Sequence, residues 1–193
     1  MTRPLEIRLT ASTGLSSDST PRAGDRTDPT LRGYAAVFNS LSEDMGGFRE
    51  RIDRGAFADS IKRRDVLGLF NHERSALLGR TKSGSLKLFE DAHGLAFALR
   101  LPKTQLGADV AELVSRGDVS QMSFGFIVPE GGDTWTRERG QTIRALRRVE
   151  LFEISLVPTP AYEDTFVGLR EVVSAAVQAA LAARRHRLAL LVG

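Results

Sequence analysis

Short strand-like runs, most of them closed off by Gly, Asp, Asn or Pro, recur along most of this chain and constrain its fold more than any other feature. Runs of this length and punctuation read as strands rather than helices. The convincing ones are 33–38, 48–52, 66–72, 122–128, 142–149 and 151–157. Two more, 86–90 and 95–99, flank Asp91-Ala92-His93-Gly94, which has the composition of a hairpin turn.

Helices are few. Asp53 is placed to cap a short helix reaching Arg64, with Phe57 and Ile61 on one face. Residues 104–116 predict an amphipathic helix, with Leu106, Val110 and Leu113 on one side and Gly117 as its terminator. An alanine-rich stretch at 169–192 predicts a C-terminal helix that ends in a basic segment. Its Val172, Val173, Val177 and Leu181 suit docking on its own domain, pairing with a second copy, or holding a partner. Many strands without strand–helix–strand alternation argue for the α+β class. A small closed or nearly closed β-barrel surrounded by helices would remove exposed strand edges.

Three parts follow along the chain. Residues 1–30 hold a short strand near 5–9 and then a flexible linker rich in Ser, Thr, Asp, Gly and Pro. Residues 31–168 form the folded domain, and 169–193 the helix and basic tail. With 193 residues, 41% of them hydrophobic, one domain with a sizeable core is expected. No apolar run approaches the roughly 18 residues of a membrane span, and the N-terminus lacks the apolar core of a secretory signal. Cysteine is absent, which removes disulfides, thiolate metal sites and a cysteine nucleophile together. A cytoplasmic protein fits.

Three of the strand-like runs each hold one chemically capable polar side chain among bulky neighbours. They are Leu69-Phe70-Asn71-His72, Gln121-Met122-Ser123-Phe124-Gly125-Phe126 and Leu151-Phe152-Glu153-Ile154-Ser155-Leu156-Val157-Pro158. Burial of the neighbours would hold His72, Ser123 and Glu153 rigidly, as nucleophilic catalysis requires. Of the three histidines, His93 sits in the hairpin turn and His186 among arginines on the last helix, so His72 is the candidate base. Alternation places Ser123 and Gly125 on one face, leaving Ser123 uncrowded. Ser120 is a rival nucleophile in a turn-like setting after Gly117-Asp118. Glu153 would orient the imidazole, although a plain ion pair with Arg147 or Arg148 is the structural alternative and Glu150 the alternative acid. No His-Glu-x-x-His helix or phosphate-binding glycine pattern is present, so neither a metal nor another cofactor is expected.

The order of these pieces resembles the prohead serine proteases of tailed bacteriophages, a family similar to the herpesvirus capsid-maturation proteases. The matching residues begin with Gly33-Tyr34-Ala35-Ala36-Val37-Phe38-Asn39 and Glu50-Arg51-Ile52-Asp53-Arg54-Gly55-Ala56-Phe57. They continue through Leu69-Phe70-Asn71-His72-Glu73, Leu78-Gly79-Arg80-Thr81, and the runs around Ser123 and Glu153 already quoted, to Pro160-Ala161-Tyr162. Residues 31–166 are covered. Arg54 stands where the family pattern leads one to expect proline. The resemblance implies an assemblin-like barrel and a serine endopeptidase with His72, Ser123 and Glu153 as its triad. From the herpesvirus relatives it implies an oxyanion contribution near Arg147 or Arg148. It also implies the substrates: scaffold protein, or the scaffold-like leader of the major capsid protein, cut inside the immature capsid in the host bacterial cytoplasm. Self-cleavage at 10–30 or in the C-terminal helix would be in keeping, while a homo-oligomer would follow only from pairing through that helix.

Two other classes compete. One is a non-catalytic assembly factor that binds capsid or scaffold through a protease-like barrel. The other is a nucleic-acid-binding barrel using Arg144, Arg147 and Arg148 with Arg184, Arg185 and Arg187. The net charge of +3 and the scarcity of aromatics make nucleic acid the weaker partner.

Overall fold

The structure, a computed structural model, describes residues 4–10, 16–18 and 29–158. The expected C-terminal helix, His186, the Arg184, Arg185 and Arg187 cluster and most of the expected linker lie outside the described residues. In chain order the elements are β1 (Glu6–Thr10), β2 (Ser16–Asp18), β3 (Thr30–Val37), β4 (Arg49–Ile52), α1 (Ala58–Arg63), β5 (Leu67–Phe70) and β6 (Glu73–Arg80). After these come β7 (Leu86–Glu90), β8 (Gly94–Arg100), α2 (Gln105–Arg116), β9 (Val119–Ile127), β10 (Asp133–Glu138), β11 (Gln141–Leu146) and β12 (Glu150–Pro158).

The strands pair into three sheets, ordered β1-β9-β12-β5-β6, β10-β11-β4 and β2-β3-β8-β7. The mostly-sheet character is as expected. A single closed ring of strands is not formed among the described residues, because β1 and β6 end the first sheet without a ladder partner in the other two. The sheets instead share one core. Leu31, Leu95, Phe97 and Leu99 come from the third sheet, Leu146 from the second, and Met122, Phe124, Phe126, Leu151, Ile154 and Leu156 from the first. Phe57 meets Phe124 edge-on with centroids 5.6 Å apart, and Phe124 stacks on Phe126 at 5.2 Å. Burying each such side chain contributes about 1.5–3 kcal/mol.

Helix α2 forms as its sequence predicts. Thr104 Oγ1 accepts from the Gly107 N–H at 3.3 Å, and Gly117 closes the helix at a φ of 81°. Helix α1 departs from expectation. It starts at Ala58, and the Phe57 N–H at its entrance donates to Glu90 Oε1 at 2.8 Å. Asp53 does not cap it, because Gly55 turns the chain at a φ of 91° between the two, and the carboxylate faces Arg51 instead. Strands β2, β6 and β10 were not legible: β2 lies inside the expected linker, and the other two begin with polar residues. β6 is a sheet-edge strand and β10 ends its sheet, where little burial enforces alternation.

A buried ion network ties β1 to the second sheet. Arg144 on β11 donates to Glu6 Oε2 at 2.6 Å, Glu50 Oε2 at 3.0 Å and Asp133 Oδ2 at 2.8 Å. Arg8 adds a bond of 2.6 Å to Glu50 Oε1. Burial alone would push the Glu6 carboxyl up, but the bond and charge of Arg144, joined by Arg8, hold it below the usual carboxylate range. Burial likewise works against the Arg144 cation, and Glu6, Glu50 and Asp133 more than offset it, so its pKa is raised. Arg144 is therefore a packed structural cation and not part of a basic surface.

Candidate active site

The face of the first sheet turned away from the core carries Ser123 and Glu153, and His72 reaches Glu153 there. In β9, Met122, Phe124 and Phe126 point into the core, so Ser123 and Gly125 point the other way. β12 runs antiparallel beside it, with Ser155 opposite Ser123 and Glu153 opposite Gly125. Unbroken alternation from Leu151 would drive Glu153 into the core. A β-bulge between Leu151 and Glu153 absorbs Phe152 as an extra residue, so Ile154 and Leu156 remain inside and Glu153 joins Ser155 and Ser123. The bulge is held from both sides: the Leu151 N–H donates to Ser60 Oγ at 2.7 Å, and the Arg64 guanidinium lies 4.1 Å from the Phe152 ring centroid.

His72 arrives from the other neighbour of β12. β5 is parallel to β12, with Phe70 opposite Leu156, and Phe70 also pairs with Glu73 across a two-residue turn. Both turn residues, Asn71 and His72, have positive φ, 53° and 61°. A histidine in this region costs on the order of 1 kcal/mol, since glycine or asparagine is the natural occupant. The turn is fastened by the Asn71 N–H to the Leu156 carbonyl at 2.9 Å and the His72 N–H to Ser155 Oγ at 3.3 Å. It delivers the ring so that His72 Nδ1 lies 2.8 Å from Glu153 Oε1. The imidazole is the accessible partner, with a quarter of its side chain exposed (25%) against 10% for Glu153.

Both Glu153 oxygens are engaged, since Ser155 Oγ donates to Oε2 at 2.5 Å. A buried carboxylate is thus fully satisfied without an arginine. Gly125 makes the room: a Cβ there would stand 2.6 Å from Glu153 Oε1. The space that alternation suggested for substrate is taken by the acid.

Ser123 is fully buried, and its hydroxyl donates to the Arg8 carbonyl of β1 at 2.8 Å. Its single proton is therefore directed to β1 and not to His72. Ser120 lies within β9, not in a turn, at a second bulge opposite Val157 and Pro158 and outside the Ser123 row. Glu150 pairs with Arg64 at 2.6 Å. His93 sits in the β7–β8 turn, its ring edge-on to Tyr34 with centroids 4.6 Å apart. Arg147 and Arg148 precede β12 at its end remote from Ser155. Their N–H groups both donate to the Gly132 carbonyl, at 2.8 and 2.9 Å, and the Arg148 side chain donates to the Glu130 carbonyl. The geometry thus gives no support to an oxyanion role for either. Among the described residues no group of three or more Asp, Glu or His side chains could hold a metal ion, and no helix is long and apolar enough to cross a membrane.

Sequence reasoning missed Ser155. Its signal was present as Glu153-Ile154-Ser155, two polar residues one strand repeat apart, which must share a face once both lie beyond the bulge.

A sheet face that carries a serine and a carboxylate-bound imidazole has the parts of a serine hydrolase. The chain belongs to the caudovirus prohead serine protease family, whose family model matches residues 16–179. Among solved structures it is similar to the bacteriophage T4 capsid assembly protease, gp21, with a TM-score of 0.55 and 12% identity, over 81% of this chain and 98% of that one. At this identity the likeness is one of fold. No curated protein matches the chain.

Proposed function

We propose that this chain is a serine endopeptidase of capsid maturation, with Ser123 as nucleophile, His72 as general base and Glu153 as orienting acid. The observation that carries this reading is the 2.8 Å contact of His72 Nδ1 with Glu153 Oε1 on the face that bears Ser123. A carboxylate at Nδ1 selects the tautomer protonated there and leaves Nε2 with its lone pair. In the reaction Ser123 Oγ exchanges the Arg8 carbonyl for His72 Nε2 and attacks a peptide carbonyl as the imidazole takes its proton. The imidazolium, stabilised by Glu153, returns that proton to the leaving amine. Water then repeats the sequence on the acyl-enzyme and regenerates Ser123. The substrates are scaffold protein or the scaffold-like leader of the major capsid protein inside the immature capsid, with self-cleavage alongside.

Ser123→Ala and wild type, each incubated with scaffold substrate and followed by mass spectrometry, test the reading. Equal processing by both would remove Ser123 from the mechanism, with Ser120→Ala as the control. One observation favours a second reading, that of a non-catalytic capsid- or scaffold-binding factor: Ser123 is fully buried and its hydroxyl is committed to Arg8. Fluorophosphonate labelling separates the two, because an unactivated serine stays unmodified.

A further inference from the structure

We infer that Ser155 is a positioning residue for the base, acting by locking both the Glu153 carboxylate and the His72 backbone through one hydroxyl; this rests on the serine-protease reading above. Ser155 is fully buried, so its hydroxyl must find its partners inside the protein. It donates to Glu153 Oε2 at 2.5 Å and accepts from the His72 N–H at 3.3 Å. Those two bonds act on the two soft degrees of freedom at this site.

The first is the terminal torsion of Glu153, which is broad and roughly two-fold in a free side chain. With only Oε1 on His72 Nδ1, the carboxylate could rotate and the ring could follow it. A second bond on Oε2 fixes the carboxylate plane, and with it the direction of the Nδ1 contact. The second is the turn itself. His72 occupies a left-handed conformation that its side chain disfavours, at a φ of 61°. The bond from its own N–H to Ser155 Oγ fastens that residue to β12, the strand that carries the acid. The base and its orienter are thus indexed to one atom.

Register adds a third element. Ser155 is the Cα partner of Ser123 across β9 and β12, so the hydroxyl that fixes the base stands beside the nucleophile's strand position. Ser155 is assigned to positioning because both of its bonds serve the pair itself, one to the Glu153 carboxylate and one from the His72 backbone.

The full chain is examined as wild type, Ser155→Ala, Ser155→Thr, Glu153→Gln and the double variant. Two readouts are used: the proton resonance of His72 Nδ1–H, and the rate and site of fluorophosphonate labelling. Ser155→Ala is expected to shift or broaden the Nδ1–H resonance and to slow labelling of Ser123 by about 10- to 100-fold. Ser155→Thr, which keeps the hydroxyl, is expected to retain the resonance and to come within a few-fold of wild type. If Ser155 works through Glu153, Ser155→Ala adds little to Glu153→Gln, whereas independent roles would multiply. An unchanged resonance and labelling rate in folded Ser155→Ala overturns the inference, as does label found on Ser155. If Ser155→Ala does not fold, the Thr variant decides: loss of the resonance in folded Ser155→Thr counts against the hydroxyl as the lock. Absence of labelling in wild type overturns the protease reading instead, and the resonance still reports whether Ser155 holds the pair.

Discussion

The hydroxyl of Ser123 donates to the carbonyl of Arg8 at 2.8 Å, which couples the proposed nucleophile to the first strand of the chain. β1 pairs antiparallel with β9, placing Leu9 opposite Ser123, and it is held there by Glu6 and Arg8 in the network around Arg144. For the proton to pass to His72 the Arg8 bond must break, and one neutral hydrogen bond is worth about 0.5–1.5 kcal/mol net. Loosening β1 is therefore expected to raise reactivity. Glu6→Gln should speed fluorophosphonate labelling of Ser123 by about two- to ten-fold while the far-UV spectrum is unchanged. An equal or slower rate in the folded variant would show that the hydroxyl leaves Arg8 at no cost.

The same network sets an acid limit on stability. The Glu6 carboxyl is held below its ordinary value of 4.5, so the unfolded chain binds its proton at a higher pH than the folded one. Its contribution is complete above that value and is lost progressively below it, as pH falls through the lower value of the folded state. Asp44, held low by the Gly47 and Gly46 N–H groups, Asp65, by Arg80, and Asp91, by the Tyr34 hydroxyl, run in the same direction. The informative measurement is thus a difference. Denaturant unfolding from pH 7 to pH 3 should show wild type losing more stability than Glu6→Gln below about pH 4.5. Parallel curves would mean that Glu6 titrates alike in both states.

Gly125 offers a test of the proposed acid that leaves His72, Ser123 and Glu153 themselves unchanged. A Cβ at this position would approach Glu153 Oε1 to 2.6 Å, closer than two such atoms can stand. Gly125→Ala must displace the carboxylate from the imidazole. The expected result is a loss of about 100-fold or more in labelling and processing, at a stability cost of about 1–3 kcal/mol. Full activity in Gly125→Ala would argue that the position of Glu153 is immaterial.

Legibility in the sequence followed burial and local chemistry. The hairpin of β7 and β8, helix α2 with Thr104 and Gly117, and strands β9 and β12 all carry their own signals. His72, Ser123 and Glu153 could be singled out because each breaks an apolar run. What escaped depends on non-local partners. The Glu90 bond at the entrance of α1, the bonds of Arg144 to Glu6 and Glu50 and the commitment of Ser123 to Arg8 join residues that are 33 to 138 positions apart. His72 reads as a strand end because the apolar run from Val66 to Phe70 leads almost directly to it. Its positive φ follows from the pairing of Phe70 with Glu73, which composition does not reveal. Ser155 passed as an ordinary strand residue for want of the bulge that aligns it with Glu153.

That bulge yields the sharpest prediction, because removing a residue from a core strand normally turns every later side chain to the wrong face. Phe152 is the residue without a partner between the Leu151–Phe126 and Glu153–Gly125 pairs. Deleting it leaves Leu151 in the core and Glu153 outside by plain alternation, so the site survives. The cost is confined to the Arg64–Phe152 contact and to the slack that lets the Leu151 N–H reach Ser60. The deletion variant is expected to fold with stability lowered by about 1–3 kcal/mol and to keep labelling of Ser123. Inserting an alanine between Glu153 and Ile154 has the opposite logic: either Glu153 or the Ile154–Leu156 pair must exchange faces, burying an unpaired carboxylate or exposing core. That variant should lose labelling and either melt far lower or not fold. If the deletion proves as damaging as the insertion, the alignment of Glu153 with Ser123 does not come from the bulge.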